Sequence, residues 1–223
     1  MKKQYYKAYD ERYKTIHSKN VSWSSNIPTP IVMQTIKDYN FTNKNKMLEI
    51  GCGEARDAHI VLKNNYSLLA TDVSKQAILY CKKIYQDYKD NFKLLDCLND
   101  KLADKYDFIY SIAVIHMLLL KEHRNQFYKF IYDHLNDDGI ALICSMGDGK
   151  TSKENNIDDA FLLQKRNHEI GEVMVASTSL KMVTLEEFNK EILDNGFKII
   201  KEGITSSLPD FNNLMYAIIK KDK

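Results

Sequence analysis

The residues best suited to chemistry are a glycine-flanked bend and the polar side chains that follow it at the ends of successive apolar runs. Gly51-Cys52-Gly53 lies between a short apolar run, Met47 to Ile50, and a helix-like segment, Ala58 to Leu62. Neither glycine carries a Cβ, so the bend can adopt positive φ and a ligand can approach the main chain closely. The free N–H groups of the following helix start point into the same space. Nineteen residues beyond Gly53 comes a carboxylate, Asp72, in the second apolar run, Leu68 to Val73. Asp96 closes a third run. His116 follows a fourth, and its ordinary pKa range suits proton removal near neutrality. Asp148, beyond the fifth run, is a further candidate acid or base.

These side chains need elements to hold them. Thr29-Pro30 predicts the cap and first turn of a helix over Ile31 to Tyr39. Ser74 caps a helix expected from Lys75 to about Tyr88, with Ala77, Ile78 and Cys81 facing inward. Strands are expected at Phe92 to Leu95, Tyr106 to Ala113 and, after an Asp137-Asp138-Gly139 turn, Ile140 to Ser145. Phe127, Phe130, Ile131 and Leu135 mark the helix between the last two. Five strands separated by helices or helix-length spacers imply a parallel sheet covered on both faces, with the ligand site at the carboxyl ends where strand order reverses. Gly53, Asp72, Asp96 and the stretch from Ser111 to His116 all fall at such ends.

The last third differs. Thr184-Leu185-Glu186-Glu187 forms a capping box, Gly196 ends its helix, and β-like runs at Phe197 to Ile200 and Leu214 to Ile219 flank a loop containing Pro209. Residues 147–181 are too long for a simple connection. They are expected to form a substrate-selecting cap with a helix over Ile157 to Glu169.

At 223 residues, 44% apolar and 28% charged, the chain suits one soluble α/β domain spanning 1–223. Net charge is +2, unevenly spread: residues 1–46 hold nine Lys or Arg against three acids, a balance of +6, and the remainder is at −4. The basic segment is either a solvated amphipathic arm or a means of steering an anionic partner. Cys52, Cys81, Cys97 and Cys144 lack paired CxxC spacing, which argues against a zinc site or disulfide framework and fits a reducing cytoplasm. The apolar run from Ile112 to Leu120 contains His116 and is too short to span a bilayer.

A glycine bend followed by a strand-end acid has two common owners. A dinucleotide site wants Gly-x-Gly-x-x-Gly, but the third position here is Arg56, and Glu49 precedes the first glycine. Glu-x-Gly-x-Gly with a following strand-end acid resembles instead the class I S-adenosylmethionine-dependent methyltransferases. Gly-Cys-Gly-x-x-Arg-Asp is similar to their small-molecule branch. The resemblance is strongest over Met47 to Asn136. It implies a seven-stranded Rossmann-like sheet, mostly parallel with an antiparallel last strand. It also implies S-adenosylmethionine as cofactor, with S-adenosylhomocysteine as product.

Under that resemblance Glu49, Gly51, Cys52, Gly53, Arg56 and Asp57 would face the methionine moiety. Asp72 would accept from both ribose hydroxyls, with Ser74 serving as the helix cap. Asp96 would accept from the adenine amino group or stand as an ordinary turn acid. Val73 and Ile112 would sandwich the ring beside Cys97 and Ser111. Residues 1–40 would form a helical lid in which Tyr13 and Trp23 offer aromatic faces to the sulfonium, or simply pack on the domain. His116 would be a base near the transferred methyl or a hydrogen-bonded structural residue. The acceptor would be a small nucleophilic molecule. An RNA or protein substrate, a noncatalytic nucleoside-binding role and an NAD-dependent oxidoreductase are the alternatives. No Asn-Pro-Pro-Tyr-like motif follows the fourth strand, which speaks against RNA.

Overall fold

A computed structural model describes residues 4–205 and 213–222, so the expected Pro209 loop lies outside the described residues. A 3-10 turn at Tyr5–Lys7 leads into α1 (Ala8–His17) and α2 (Pro30–Asp38). Then come β1 (Lys46–Ile50), α3 (Arg56–Lys63), β2 (Ser67–Asp72), α4 (Lys75–Ile84), β3 (Phe92–Leu94) and β4 (Tyr106–Ile112). The chain continues with α5 (Lys121–His134), β5 (Leu135–Met146), β6 (Lys153–Glu154), β7 (Leu163–His168), β8 (Gly171–Ala176) and β9 (Lys181–Met182). It closes with α6 (Leu185–Asp194), β10 (Phe197–Thr205) and β11 (Leu214–Lys221).

Seven strands pair in the order β10-β11-β5-β4-β1-β2-β3. β11 is antiparallel to both neighbours and the other six are mutually parallel. Along β1 and β4 the side chains alternate faces. Met47, Phe108 and Tyr110 join Val32, Ile36 and Val61 in one core. Leu48 and Ile109 join Phe127, Ile131 and Phe188 in the other. Helices therefore cover both faces. The chain proceeds outward from β1 to β3, then returns to β4 on the opposite side of β1, so the order reverses at the carboxyl ends of β1 and β4.

Three expectations need correction. Residues 157–169 are not helical: after a single turn at Ile157–Asp159, β7 and β8 form an antiparallel hairpin. Its strand β8 alternates buried Val173 and Val175 with exposed Glu172 and Met174, and the valines pack on Ile16 of α1. A period of two overrides any helical pattern there. The Asp137-Asp138-Gly139 turn is instead absorbed into β5 as a bulge, where the register against β4 shifts. And α4 stops at Ile84, because Tyr85 leaves the helical region and stacks on His59 at 4.5 Å.

The loop after β4 is braced from outside the sheet. Arg124 on α5, almost fully buried, donates from Nη1 to the carbonyls of Ile115 and Leu118 at 2.8 and 3.2 Å. Its Nε and Nη2 meet both carboxylate oxygens of Glu191 at 2.8 and 2.6 Å. That fork fixes the turn carrying His116. Arg124→Ala strands two carbonyls and a carboxylate, so it is expected to cost about 3–5 kcal/mol in urea unfolding.

Candidate active site

The site begins where β1 ends. Gly51 N and Cys52 N both donate to the Thr71 carbonyl, at 2.7 and 2.9 Å, so the bend folds against the tip of β2. Gly51 and Gly53 have φ of +78° and +53°. A Cβ on Gly51 would lie 2.2 Å from Val114 Cγ2, and one on Gly53 would lie 2.8 Å from the Tyr13 hydroxyl. Ala55 and Ala113, on the loops after β1 and β4, also hold positive φ, 65° and 58°, where an alanine is strained. Strain thus collects around the reversal point.

A cavity of about 510 Å³ opens there, within the range of small-molecule sites. Its floor comprises the bend, Glu49, Arg56, Asp57, Asp72, Val73, Cys97 and Ile112. Its roof comprises Tyr9, Tyr13 and Trp23 from the N-terminal segment together with His168 and Ser179 from the residues between β5 and α6. Glu54 ties the roof down. One of its oxygens accepts from Trp23 N at 2.7 Å and lies 2.7 Å from His17 Nε2, and the other accepts from Ser24 N and Oγ. His168 joins the roof's two halves, stacking on Trp23 and donating from Nε2 to the Ser22 carbonyl at 2.8 Å.

The floor acids differ in state. Asp72 Oδ2 accepts from Gly53 N at 2.8 Å and Oδ1 from Ser74 N at 2.7 Å, which leaves further lone pairs on both oxygens. Burial raises its pKa to about 6 despite those two bonds. Glu49 is pushed well above the usual carboxylate range by burial and by the Asp57 charge, against a hydrogen bond from the Tyr110 hydroxyl. Asp57 accepts from Thr29 N and Oγ1 and from Arg56 Nη2, joining the bend to the start of α2.

Twelve of the fourteen cofactor residues expected from sequence line this cavity; Asp96 and Ser111 do not. Asp96 turns away because the N-terminal segment satisfies it: the Tyr6 hydroxyl, Lys7 Nζ and Asn99 Nδ2 all reach Oδ2 at about 3 Å. Burial would raise its pKa, but the bonds from Lys7 and Asn99 prevail and hold it low. Ser111 is buried and donates to the Ile50 carbonyl at 3.0 Å, bridging two strands. Of the catalytic candidates His116 lines the cavity and Asp148 does not. Asp148 accepts from Lys150 N, Thr151 N and Thr151 Oγ1, which makes it the cap of its own turn. His116 is buried, and desolvation with the Arg124 charge lowers its pKa to about 4. It is neutral near pH 7 and weaker as a base than sequence alone suggests.

Sequence reasoning missed Arg12, Glu54, Arg166 and the role of His168. Arg12 alone left a signal, standing three residues from Tyr9 and one from Tyr13 on the aromatic side of α1.

Residues 48–141 match a family model described as a methyltransferase domain. That match runs from β1 into β5, the part of the sheet that carries the glycine bend and the reversal point. Similar solved structures include an S-adenosylmethionine-dependent methyltransferase from Clostridium acetobutylicum, 13% identical, covering 95% of this chain and 96% of that one with a TM-score of 0.67. The 1,6-didemethyltoxoflavin-N1-methyltransferase of Burkholderia thailandensis is 12% identical over 94% of this chain and 85% of that one, TM-score 0.71. The CcbJ methyltransferase of Streptomyces caelestis is 10% identical over 98% and 99%, also with a TM-score of 0.71. At such identities the likeness is one of fold. No curated protein matches this chain in sequence.

The bend itself supports a direct test. Gly51→Ala incurs both the left-handed backbone penalty and the Val114 contact, together about 2–4 kcal/mol. Gly171→Ala, at φ +99° with open space around it, incurs only the backbone penalty and serves as the control. Urea unfolding of the two variants is expected to separate them in that order.

Proposed function

We propose that this protein methylates a small nucleophilic molecule in the cavity between the glycine bend and the roof. The observation that carries this is the roof itself: Tyr13 and the stacked pair Trp23 and His168 line the same cavity as the bend, so the space beside it has the size of a small-molecule site. S-adenosylmethionine held there would supply an electrophilic methyl, to which an acceptor lone pair would bond in line as the S–C bond breaks and its electrons return to sulfur.

The chain's own residues hold and enclose. The remaining lone pairs of Asp72 suit the ribose hydroxyls, and Val73, Cys97 and Ile112 give apolar walls for adenine. Gly51, Cys52 and Gly53, with Glu49, Arg56 and Asp57, form the end for the amino-acid moiety, where backbone groups are approachable. Tyr13 lines the cavity from the roof, where exclusion of water strengthens attraction to a sulfonium, whereas Trp23, stacked with Arg12 and His168, serves to cover the site. With a pKa near 4, His116 acts as a neutral hydrogen-bonding imidazole that orients the acceptor, and a protonated acceptor would pass its proton to it or onward to water. Residues 4–24 work as the lid and the β7–β8 hairpin as part of the cap. Four free cysteines fit a cytoplasmic setting, and among the described residues no helix is long and apolar enough to cross a membrane.

Calorimetry with S-adenosylhomocysteine and NADH tests the site; tighter binding of NADH would reverse the assignment. Asp72→Ala is expected to weaken S-adenosylhomocysteine by at least about tenfold, the loss of charge-assisted bonds to two hydroxyls. Because the charged carboxylate is the better acceptor, affinity is expected to fall as pH drops through about 6, with a proton released on binding in that range. Stability of the free protein runs the other way. A carboxyl whose folded pKa is raised contributes most below its unfolded value of 3.8, and the contribution is lost as pH rises through about 6. An affinity flat from pH 7 to 5 would remove Asp72 from the ligand. His116→Gln is expected to lower turnover more than S-adenosylhomocysteine affinity; equal turnover would leave it a structural residue.

A further inference from the structure

The chamber's charges are sorted. Around the bend, Glu49, Glu54, Asp57 and Asp72 each hold hydrogen-bond donors of the chain and Arg56 is paired with Asp57, whereas the hairpin side presents two further arginines, Arg12 and Arg166. Arg12 is 3% exposed, a depth at which a guanidinium normally has a counterion. Its Nε and Nη2 donate to the Ala176 carbonyl at 3.1 and 2.8 Å, and its plane lies 4.7 Å from the centroids of both Tyr9 and Trp23. Those contacts fix its orientation but do not neutralise it. Arg166, on the exposed side of β7, lines the same wall, and its like charge adds to the effect of burial in lowering the Arg12 pKa. Among the described residues neither arginine pairs with a carboxylate; the nearby Glu172 is taken by Lys165 at 2.6 Å.

We infer that the acceptor carries an oxyanion, a carboxylate or a phosphate, which Arg12 and Arg166 hold at the hairpin wall while its nucleophilic atom points toward the bend. This rests on the methyl-transfer site proposed above and adds the acceptor's chemical class. With its Nε and Nη2 spent on Ala176, Arg12 offers Nη1 from a guanidinium already fixed against two rings, so little order is lost on binding an oxyanion. The attachment of Arg12 to Ala176 at the end of β8 and to Thr178 just beyond it, rather than to the bend, assigns it to the acceptor's half of the chamber rather than to the cofactor's carboxylate.

The test uses the full chain saturated with S-adenosylhomocysteine, titrated calorimetrically with benzoate, phenyl phosphate and the neutral benzamide. At least one anion is expected to bind about tenfold or more tighter than benzamide, the worth of a charge-assisted contact. Which anion wins distinguishes carboxylate from phosphate. Arg166→Ala, on an exposed strand face, and Arg12→Lys, which keeps the charge but loses the planar donor held against the rings, are each expected to reduce that preference severalfold and leave S-adenosylhomocysteine affinity unchanged. Equal binding of benzamide overturns the inference. So does a parallel fall in S-adenosylhomocysteine affinity in Arg12→Lys, which would give Arg12 to the cofactor carboxylate. Failure of S-adenosylhomocysteine to bind the unmodified protein is read before any anion is added, and it would overturn the parent assignment separately.

Discussion

The site depends on one constraint: the first loop of the sheet is bonded to the tip of the neighbouring strand. The Thr71 carbonyl holds Gly51 and Cys52, and Asp72 holds Gly53. Two parallel strands are thereby locked at their carboxyl ends with a bend that only residues free to take positive φ can make. Everything else in the chamber is referenced to that junction. Val114 presses against Gly51 and Tyr13 overlies Gly53, so the loop after β4 and the N-terminal helix are both positioned by the absence of a side chain.

Burial then decides what each titratable group can do. Asp72 sits deep enough to be driven toward neutrality, yet two backbone donors keep it within reach of ionisation. A hydroxyl-bearing ligand can complete its shell. Glu54 goes the other way, held below the usual range because His17, Ser24 and Trp23 outweigh its burial. One carboxylate is left for a ligand while its neighbour is consumed in fastening the roof.

Much of this was legible because it is local. The apolar run, Gly51-Cys52-Gly53 and Asp72 sit within 26 residues, from Met47 to Asp72, and strand ends impose their pattern on adjacent positions. Ser74 and the Thr184 capping box declared their helices for the same reason. What failed was nonlocal. Asp96 is satisfied by Tyr6, some 90 positions earlier, and no pattern near Asp96 announces that. The β7–β8 hairpin owes its buried valines to Ile16, so its strand character depends on a helix at the other end of the chain. Arg12 and Arg166 meet only because that hairpin folds over α1.

The protein has a single tryptophan, and it sits in the roof. Trp23 is held between a guanidinium and an imidazole, with its backbone N–H fastened to Glu54. Excitation selective for indole therefore illuminates one place only. Filling or emptying of the chamber alters the polarity around that ring, so intrinsic emission gives an unlabelled optical record of occupancy. Stopped-flow traces of that signal follow the rate at which a ligand enters and leaves.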